Sequence, residues 1–402
     1  MKASSNTENW RPTYYQELLL KSALLRGDPA LNSWREWKAN VDIDNIERYS
    51  HRLLSLVYKN LNEIGFEDSL TDRLKGVYKK TWYKNETFFY HLSQVLPKFH
   101  DQEIETLLLK GTALSLLYYE DNGVRAMEDI DLLVPYDKVK AAIALLEELN
   151  FSIETKHPID DFFLHLVHGT SARNDKGIII DLHWSHLKRT IITDDDKSAW
   201  RNAVPVQLNN INSLALSPEE MLLHICEHAL SWRGAVNIRW VADAMTILNK
   251  PDAEIDWNRF VDLVHRYRLK PFVKEMLIYL NQVFDAPLPD NLINELDRYD
   301  LSPNEARYYN CLMKYYQTNT ISGEIPRRFF RLYWSIYFMF INTPVKDRYF
   351  PKSLLLIMKF FQVSFNIKYL WLVPVFVPYN SVKRLLLITN AYIKRNLWRN
   401  QH

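Results

Sequence analysis

The chain has 402 residues, of which 47% are hydrophobic and 24% charged, with a formal net charge of +2. That is the composition of a globular protein with room for two or three domains. Only Cys226 and Cys311 occur, which excludes a disulfide framework and fits a reducing compartment. Nine glycines stand against 23 tyrosines, 19 phenylalanines and 12 tryptophans, a balance that favours helices with large aromatic contacts over a glycine-rich turn architecture. The opening Met1-Lys2-Ala3-Ser4-Ser5-Asn6 lacks the apolar run of a secretory leader, so a cytoplasmic location is expected.

Residues 1–100 read as a helical region. Asn45 to Leu61 and Leu74 to Val95 carry apolar side chains at three- and four-residue steps, for example Leu53, Leu54, Val57 and Leu61, which predicts helices. Residues 101–205 alternate strands with helices. Ile104 to Lys110 reads as a strand ending at Gly111, followed by a helix over Ala113 to Tyr119. Gly111 allows close backbone approach, and Thr112 can cap the helix or touch a phosphate at its N-terminus.

Next comes Met127-Glu128-Asp129-Ile130-Asp131-Leu132-Leu133-Val134, whose apolar half reads as a buried strand. Alternation along a strand turns Asp129 and Asp131 to one face, with their Cα atoms roughly 7 Å apart. Two such carboxylates need a compensating cation and can share metal ions. Asp137 to Leu149 follows as an amphipathic helix covering one face of the sheet. Gly177 to Trp184 is a second strand, ending in Asp181-Leu182-His183-Trp184. A carboxylate ending a buried strand is costly unless something binds it, so Asp181 is a third candidate ligand. His183, on the same face, is placed to touch nucleotide or acceptor.

Lys110-Gly111-Thr112-Ala113-Leu114, Gly123-Val124-Arg125, Asp129-Ile130-Asp131-Leu132-Leu133-Val134 and Asp181-Leu182-His183-Trp184 together resemble the DNA polymerase β-type nucleotidyltransferase superfamily. They are most similar to a bacterial branch with the pattern K-G-x-x-L, R, D-I-D-L-L-V, D-L-H-W. The resemblance implies an α+β fold, a small mixed β-sheet framed by N- and C-terminal helical regions. It implies catalytic and metal-binding roles for Asp129, Asp131 and Asp181, with Mg2+ or Mn2+ as cofactor. Nucleotide contacts are implied for Lys110, Gly111, Thr112, Arg125, His183, His228 and Arg239. Thr112 stands where the wider superfamily has serine or glycine, and the sixteen residues that separate it from Asp129 are more than the common spacing.

Residues 206–325 read as a helical domain. Ser217-Pro218-Glu219-Glu220 has the spelling of a capping box with proline at the first helical position. The helix it opens contains His224-Ile225-Cys226-Glu227-His228, which matches the zinc-protease string H-x-x-E-H, so a metalloprotease is a rival reading. The preferred one is a lid over the nucleotide, with His228, Arg233 and Arg239 facing the site and Arg239 paired to Asp243 four residues on. The triplet Asp194-Asp195-Asp196 reads as a solvated loop.

Of the 50 basic and 48 acidic residues, thirteen and one (Asp347) lie in 326–402, leaving 37 and 47 in the body. This basic, aromatic region has uncharged runs over Leu332 to Val345 and Tyr369 to Val382, both short of the roughly 18–20 residues of a spanning helix. It is expected to pack on the acidic body; peripheral attachment at the inner membrane face and RNA binding are the alternatives. The expected activity is transfer of a nucleoside monophosphate, AMP by preference, from a triphosphate such as ATP to a hydroxyl or phosphate acceptor. The acceptor is a small molecule, peptide, lipid or glycan. A tRNA-modifying toxin-like enzyme and a non-catalytic nucleotide-binding scaffold remain the other classes.

Overall fold

A computed structural model describes residues 10–155, 158–187, 197–230, 237–301, 303, 306–307, 309–310, 352–364 and 367–375. The fold is α+β, as the sequence predicts. Its centre is a seven-stranded mixed sheet of order β3-β4-β5-β2-β1-β7-β6. The strands are β1 (Leu107–Leu108), β2 (Ile130–Leu133), β3 (Ser152–Ile153), β4 (Gly169–Arg173), β5 (Ile179–His183), β6 (Val204–Leu208) and β7 (Ile211–Ala215). β2 runs parallel to β5 and β1 parallel to β7, while the other neighbours are antiparallel.

The central strand, β2, is buried on both faces. All four β2 residues are inaccessible, so the apolar run Ile130, Leu132, Leu133 is a consequence of double coverage rather than simple alternation. Asp131 is the polar exception within that run.

Among the described residues five helices precede the sheet: α1 (Tyr14–Leu24), α2 (Gly27–Asn40), α3 (Arg48–His51), α4 (Leu54–Glu63) and α5 (Thr71–Asp101). The single helix expected from Asn45 to Leu61 is therefore two, and the one expected over Leu74 to Val95 is longer at both ends. Glu47 sets where the first of them begins: its carboxylate accepts from the Tyr49 and Ser50 amides and caps α3. On α2, Trp34 and Trp37 are both buried and stack with centroids 5.3 Å apart.

After β1 comes α6 (Lys110–Leu114), which runs into a π-helical turn at Ser115–Tyr119. The strand expected over Ile104 to Lys110 shrinks to two paired residues. α7 (Val139–Glu148) follows β2, and α8 (Asp161–Leu166) precedes β4. Beyond the short α9 (Lys197–Arg201) and β7 lie α10 (Pro218–Ala229), α11 (Arg239–Leu248), α12 (Trp257–Arg266), α13 (Lys270–Phe284) and α14 (Leu292–Asp297).

α10 starts where the sequence predicts, with proline at its first position, but no capping box forms. The Ser217 hydroxyl accepts instead from Arg259 Nη1 at 2.7 Å, and Arg259 Nη2 lies 2.7 Å from Glu220. A cation on α12 thus takes both groups the box requires.

The helical layers and the sheet share one buried apolar cluster, running from Trp10 to Leu296. Trp10, Trp240 and Tyr279 pack ring against ring, and Trp240 Nε1 donates to the Trp10 carbonyl at 2.8 Å. These contacts tie the chain's start to α11 and α13. Arg233, the acidic triplet and Leu332 to Val345 lie outside the described residues, as does half of Tyr369 to Val382. Among the described residues no helix is long and apolar enough to cross a membrane.

Candidate active site

The register of the parallel pair sets the site. Asp131 on β2 lies directly beside Asp181 on β5. His183, two residues further along β5, shares Asp181's face. Its Nε2 lies 3.0 Å from Asp131 Oδ1 and 4.0 Å from Asp181 Oδ2. Ligand atoms of the three all fall within 4.8 Å of one another. β4 completes the arrangement on the far side: Ser171, the register partner of Asp181, donates its hydroxyl to Asp181 Oδ1. Gly169 sits opposite His183, and a Cβ there would lie 2.7 Å from the Leu182 carbonyl and 3.0 Å from His183 Nδ1. The strand pair accommodates the His183 ring because residue 169 has no side chain.

Lys110 stands on the other side of Asp131. Its Nζ reaches Asp131 Oδ1 at 2.5 Å, and its backbone is left-handed, with φ of 41°. A non-glycine residue held there stores strain of the kind found where position matters more than comfort. Burial disfavours the Lys110 charge, but the attraction and hydrogen bond of Asp131 outweigh it and raise the ammonium's pKa. Burial likewise opposes the Asp131 charge, and Lys110 with His183 holds its pKa well below the usual carboxylate range. His183 is shifted down, first by burial and then by Lys110.

Asp129 departs from the expected geometry. It precedes β2 in a bend, and it is not one of the three clustered ligands. It lines the same cleft as Lys110 and Asp131. Burial, followed by the charge of Asp131, pushes its carboxyl up to about 6.

Three arginines, Arg52, Arg125 and Arg239, line the cleft with Gly111, Glu128, His224, His228 and Asp243. Arg52 and Arg48 both pair with Glu128. Glu128 is driven down to about 2, its burial being outweighed by these two guanidinium groups. Arg125 forms a planar two-point pair with Asp243, Nε to Oδ1 and Nη2 to Oδ2 both at 2.8 Å, and Tyr119 donates to the same carboxylate at 2.9 Å. The ion pair expected between Arg239 and Asp243 is thus replaced, because Asp243 faces across to Arg125. Arg239 donates Nη1 to the Ala126 carbonyl at 2.6 Å, while its Nε is buried without a partner. Burial first, then the neighbouring Arg125, lowers its pKa to about 10.

Two further sequence expectations change. A Cβ on Gly111 would lie 2.6 Å from Arg125 Nη1, so this glycine makes room for a guanidinium. Thr112 neither caps α6 nor lines the cleft; it is buried, and its hydroxyl has no partner. As for the protease string, the only three-ligand group among the described residues is Asp131, Asp181 and His183. His224 and His228 stack with centroids 6.2 Å apart but are not joined by a third ligand.

Sequence reasoning missed Asn85. This wholly buried α5 residue donates Nδ2 to the carbonyls of Asn122 and Arg125 at 2.7 and 2.8 Å and accepts from the Met127 amide at 3.2 Å. It braces the segment that carries Arg125 and leads to Asp129. A polar residue at 85 within the apolar periodicity, between Thr81 and Phe88, is the signal that marks it.

A family model described as an uncharacterised nucleotidyltransferase matches residues 47–285, more than half of the chain. The chain belongs to this nucleotidyltransferase family. The matched span holds every site residue named above. The chain is also similar to an antigenic nucleotidyltransferase-like protein from Paracoccidioides brasiliensis, known from a crystal structure. Identity is 15% over 51% of this chain and 95% of that one, with a TM-score of 0.32. No curated protein matches.

The donor set of this nucleotidyltransferase suits a divalent metal. Two carboxylates and an imidazole are ligands for a first-row ion such as Mn2+, and carboxylate oxygens also suit Mg2+. The 4.8 Å limit on their separation agrees with three donors around one ion at about 2.0–2.4 Å from each.

Proposed function

We propose that the chain catalyses metal-dependent transfer of a nucleoside monophosphate from a triphosphate to a hydroxyl or phosphate acceptor, with release of pyrophosphate. ATP is the first donor to test. The observation that carries this reading is the register pair Asp131–Asp181, joined by His183, with Asp131 lining a cleft that also presents Lys110, Arg125 and Arg239. Carboxylates for an ion stand beside cations for phosphate oxygens.

In this reading Asp131, Asp181 and His183 hold the metal, and Asp129 approaches from the cleft side. A bound divalent ion polarises a phosphate oxygen and eases deprotonation of an attacking hydroxyl. Arg125 presents Nη1 beside Gly111, since Asp243 occupies its other two nitrogens. Arg239, whose one hydrogen bond goes to a neutral carbonyl, meets the triphosphate as an unneutralised cation. Lys110, which pairs with Asp131, would be free to reach a phosphate oxygen if a metal ion held that carboxylate. Asp181, the half-exposed member of the set, receives the acceptor's proton.

The test is a label-transfer assay. The full chain is incubated with each α-32P nucleoside triphosphate, Mg2+ or Mn2+, and host lysate, then the lysate is fractionated. Label from the α position entering one fraction, with none from a γ-labelled donor, supports the reading and identifies the acceptor class, RNA included. No transfer from any of the four donors with either metal sinks it.

A further inference from the structure

The fold treats the two histidines of the α10 string differently, although both line the cleft. His228 is engaged by an interaction of its own. His224 is 2% exposed, and neither of its ring nitrogens has a hydrogen-bond partner. A neutral imidazole carries one donor and one acceptor, and leaving both buried and unmatched costs free energy that a ligand recovers. Its ring neighbours give contact without satisfying it: the His186 centroid is 6.4 Å away and that of His228 is 6.2 Å. Among the described residues His224 belongs to no three-ligand group.

The rest of the cleft narrows the ligand chemistry. Lys110, Arg125 and Arg239 offer only donors, and Asp129 and Asp131, when ionised, only accept. His224 is held neutral, by burial first and then by the charge of Lys110, so it can both donate and accept. The matching ligand group is a hydroxyl, which does the same. We propose that His224 is a specificity-determining residue that hydrogen-bonds a ligand hydroxyl, carried by the nucleotide's sugar or by the acceptor. This rests on the nucleotidyl-transfer reading and adds to it a residue that recognises an uncharged part of the substrate.

Equilibrium binding of ATP, 2′-deoxy-ATP and 3′-deoxy-ATP to the full chain, with Mn2+ present, is measured for the unaltered protein, His224→Gln and His224→Phe. Glutamine keeps a donor and an acceptor, whereas phenylalanine keeps only the ring. The ratio between ATP and its deoxy analogues is internal to each protein, so a partly folded variant does not distort it. A sugar hydroxyl is identified if the unaltered protein and His224→Gln prefer ATP over one analogue by tenfold or more and His224→Phe does not. The acceptor's hydroxyl is identified if all three proteins bind the nucleotides alike, yet His224→Phe transfers label at least tenfold more slowly and His224→Gln restores the rate. A His224→Phe protein with both the preference and the transfer rate of the parent overturns the proposal, as does slow transfer that glutamine fails to restore. Nucleotide binding that is absent from the unaltered protein removes the underlying reading as well.

Discussion

Asp243 grips Arg125 through two parallel hydrogen bonds of 2.8 Å, across 118 residues of sequence. Both side chains are 7% exposed, so neither charge is at ease without the other. Removing one partner of such a pair costs about 3–5 kcal/mol, because the survivor is left buried and uncompensated. Asp243→Ala is therefore expected to lower stability by that amount in urea denaturation. A double variant, Arg125→Met with Asp243→Leu, is expected to recover most of the loss while remaining inactive in label transfer. Full activity of the double variant would show that Arg125 touches no phosphate.

Metal binding is best tested at Asp181, which has the more exposed side chain of the two clustered carboxylates, at 29%. Asp181→Asn keeps size and shape and disturbs no tight ion pair. Mn2+ affinity, read by electron paramagnetic resonance of the free ion, is expected to fall at least about tenfold. Label transfer is expected to fall by roughly 100-fold or more, with the melting temperature little changed. The buried Asp131 gives a less clean result, since Asp131→Asn also strands the Lys110 ammonium.

Asp129 makes the stability of the metal-free chain depend on pH in an unusual direction. Its carboxyl titrates at about 6 when folded, against the ordinary 3.8. As pH rises from about 4, the unfolded chain releases this proton first, which favours unfolding. The penalty grows between these two values and is complete above pH 6. Asp129→Asn removes it, so this variant is expected to be more stable than the parent at pH 7.5 by about 1–3 kcal/mol. At pH 4 the two are expected to unfold alike. Equal stability of the two proteins at pH 7.5 in the presence of a chelator would refute the assignment.

Asn85 is expected to matter out of proportion to its distance from the chemistry. Asn85→Ala leaves the Asn122 and Arg125 carbonyls and the Met127 amide without this partner. Each unmatched buried group costs about 1–3 kcal/mol. Asn85→Asp, which accepts but does not donate, is expected to be no better. Hydrogen exchange of the Met127 amide is the direct readout: it should quicken in Asn85→Ala, whereas Asn85→Asp keeps an acceptor for that amide.

Local pattern made β2, β5, α7 and the start of α10 legible, because apolar periodicity and a proline at the first helical turn are properties of a few adjacent residues. The same pattern placed Asp131, Asp181 and His183 on strands that the fold then sets side by side. What adjacent residues do not contain is the choice of partner. Arg239 and Asp243 have helix-neighbour spacing, yet Asp243 is taken by Arg125 from another element. Ser217 and Glu220 spell a capping box, yet Arg259 draws both away. Asp129 and Asp131 alternate in sequence, but the strand begins only at Ile130, and Asp129 falls in the bend before it. Charged groups settle their partners through space, after the backbone has brought distant elements together.

The side-by-side placement of Asp131 and Asp181 makes the site intolerant of sliding. A single residue inserted into β5 ahead of Asp181 would not shift the carboxylate by a fraction; it would turn both it and His183 over to the opposite side of the sheet and bring Leu182 into the place of His183. Ligation here is therefore all or nothing with respect to length changes in that strand. Natural variation in chain length among such sequences should leave the stretch from 169 to 183 at constant length.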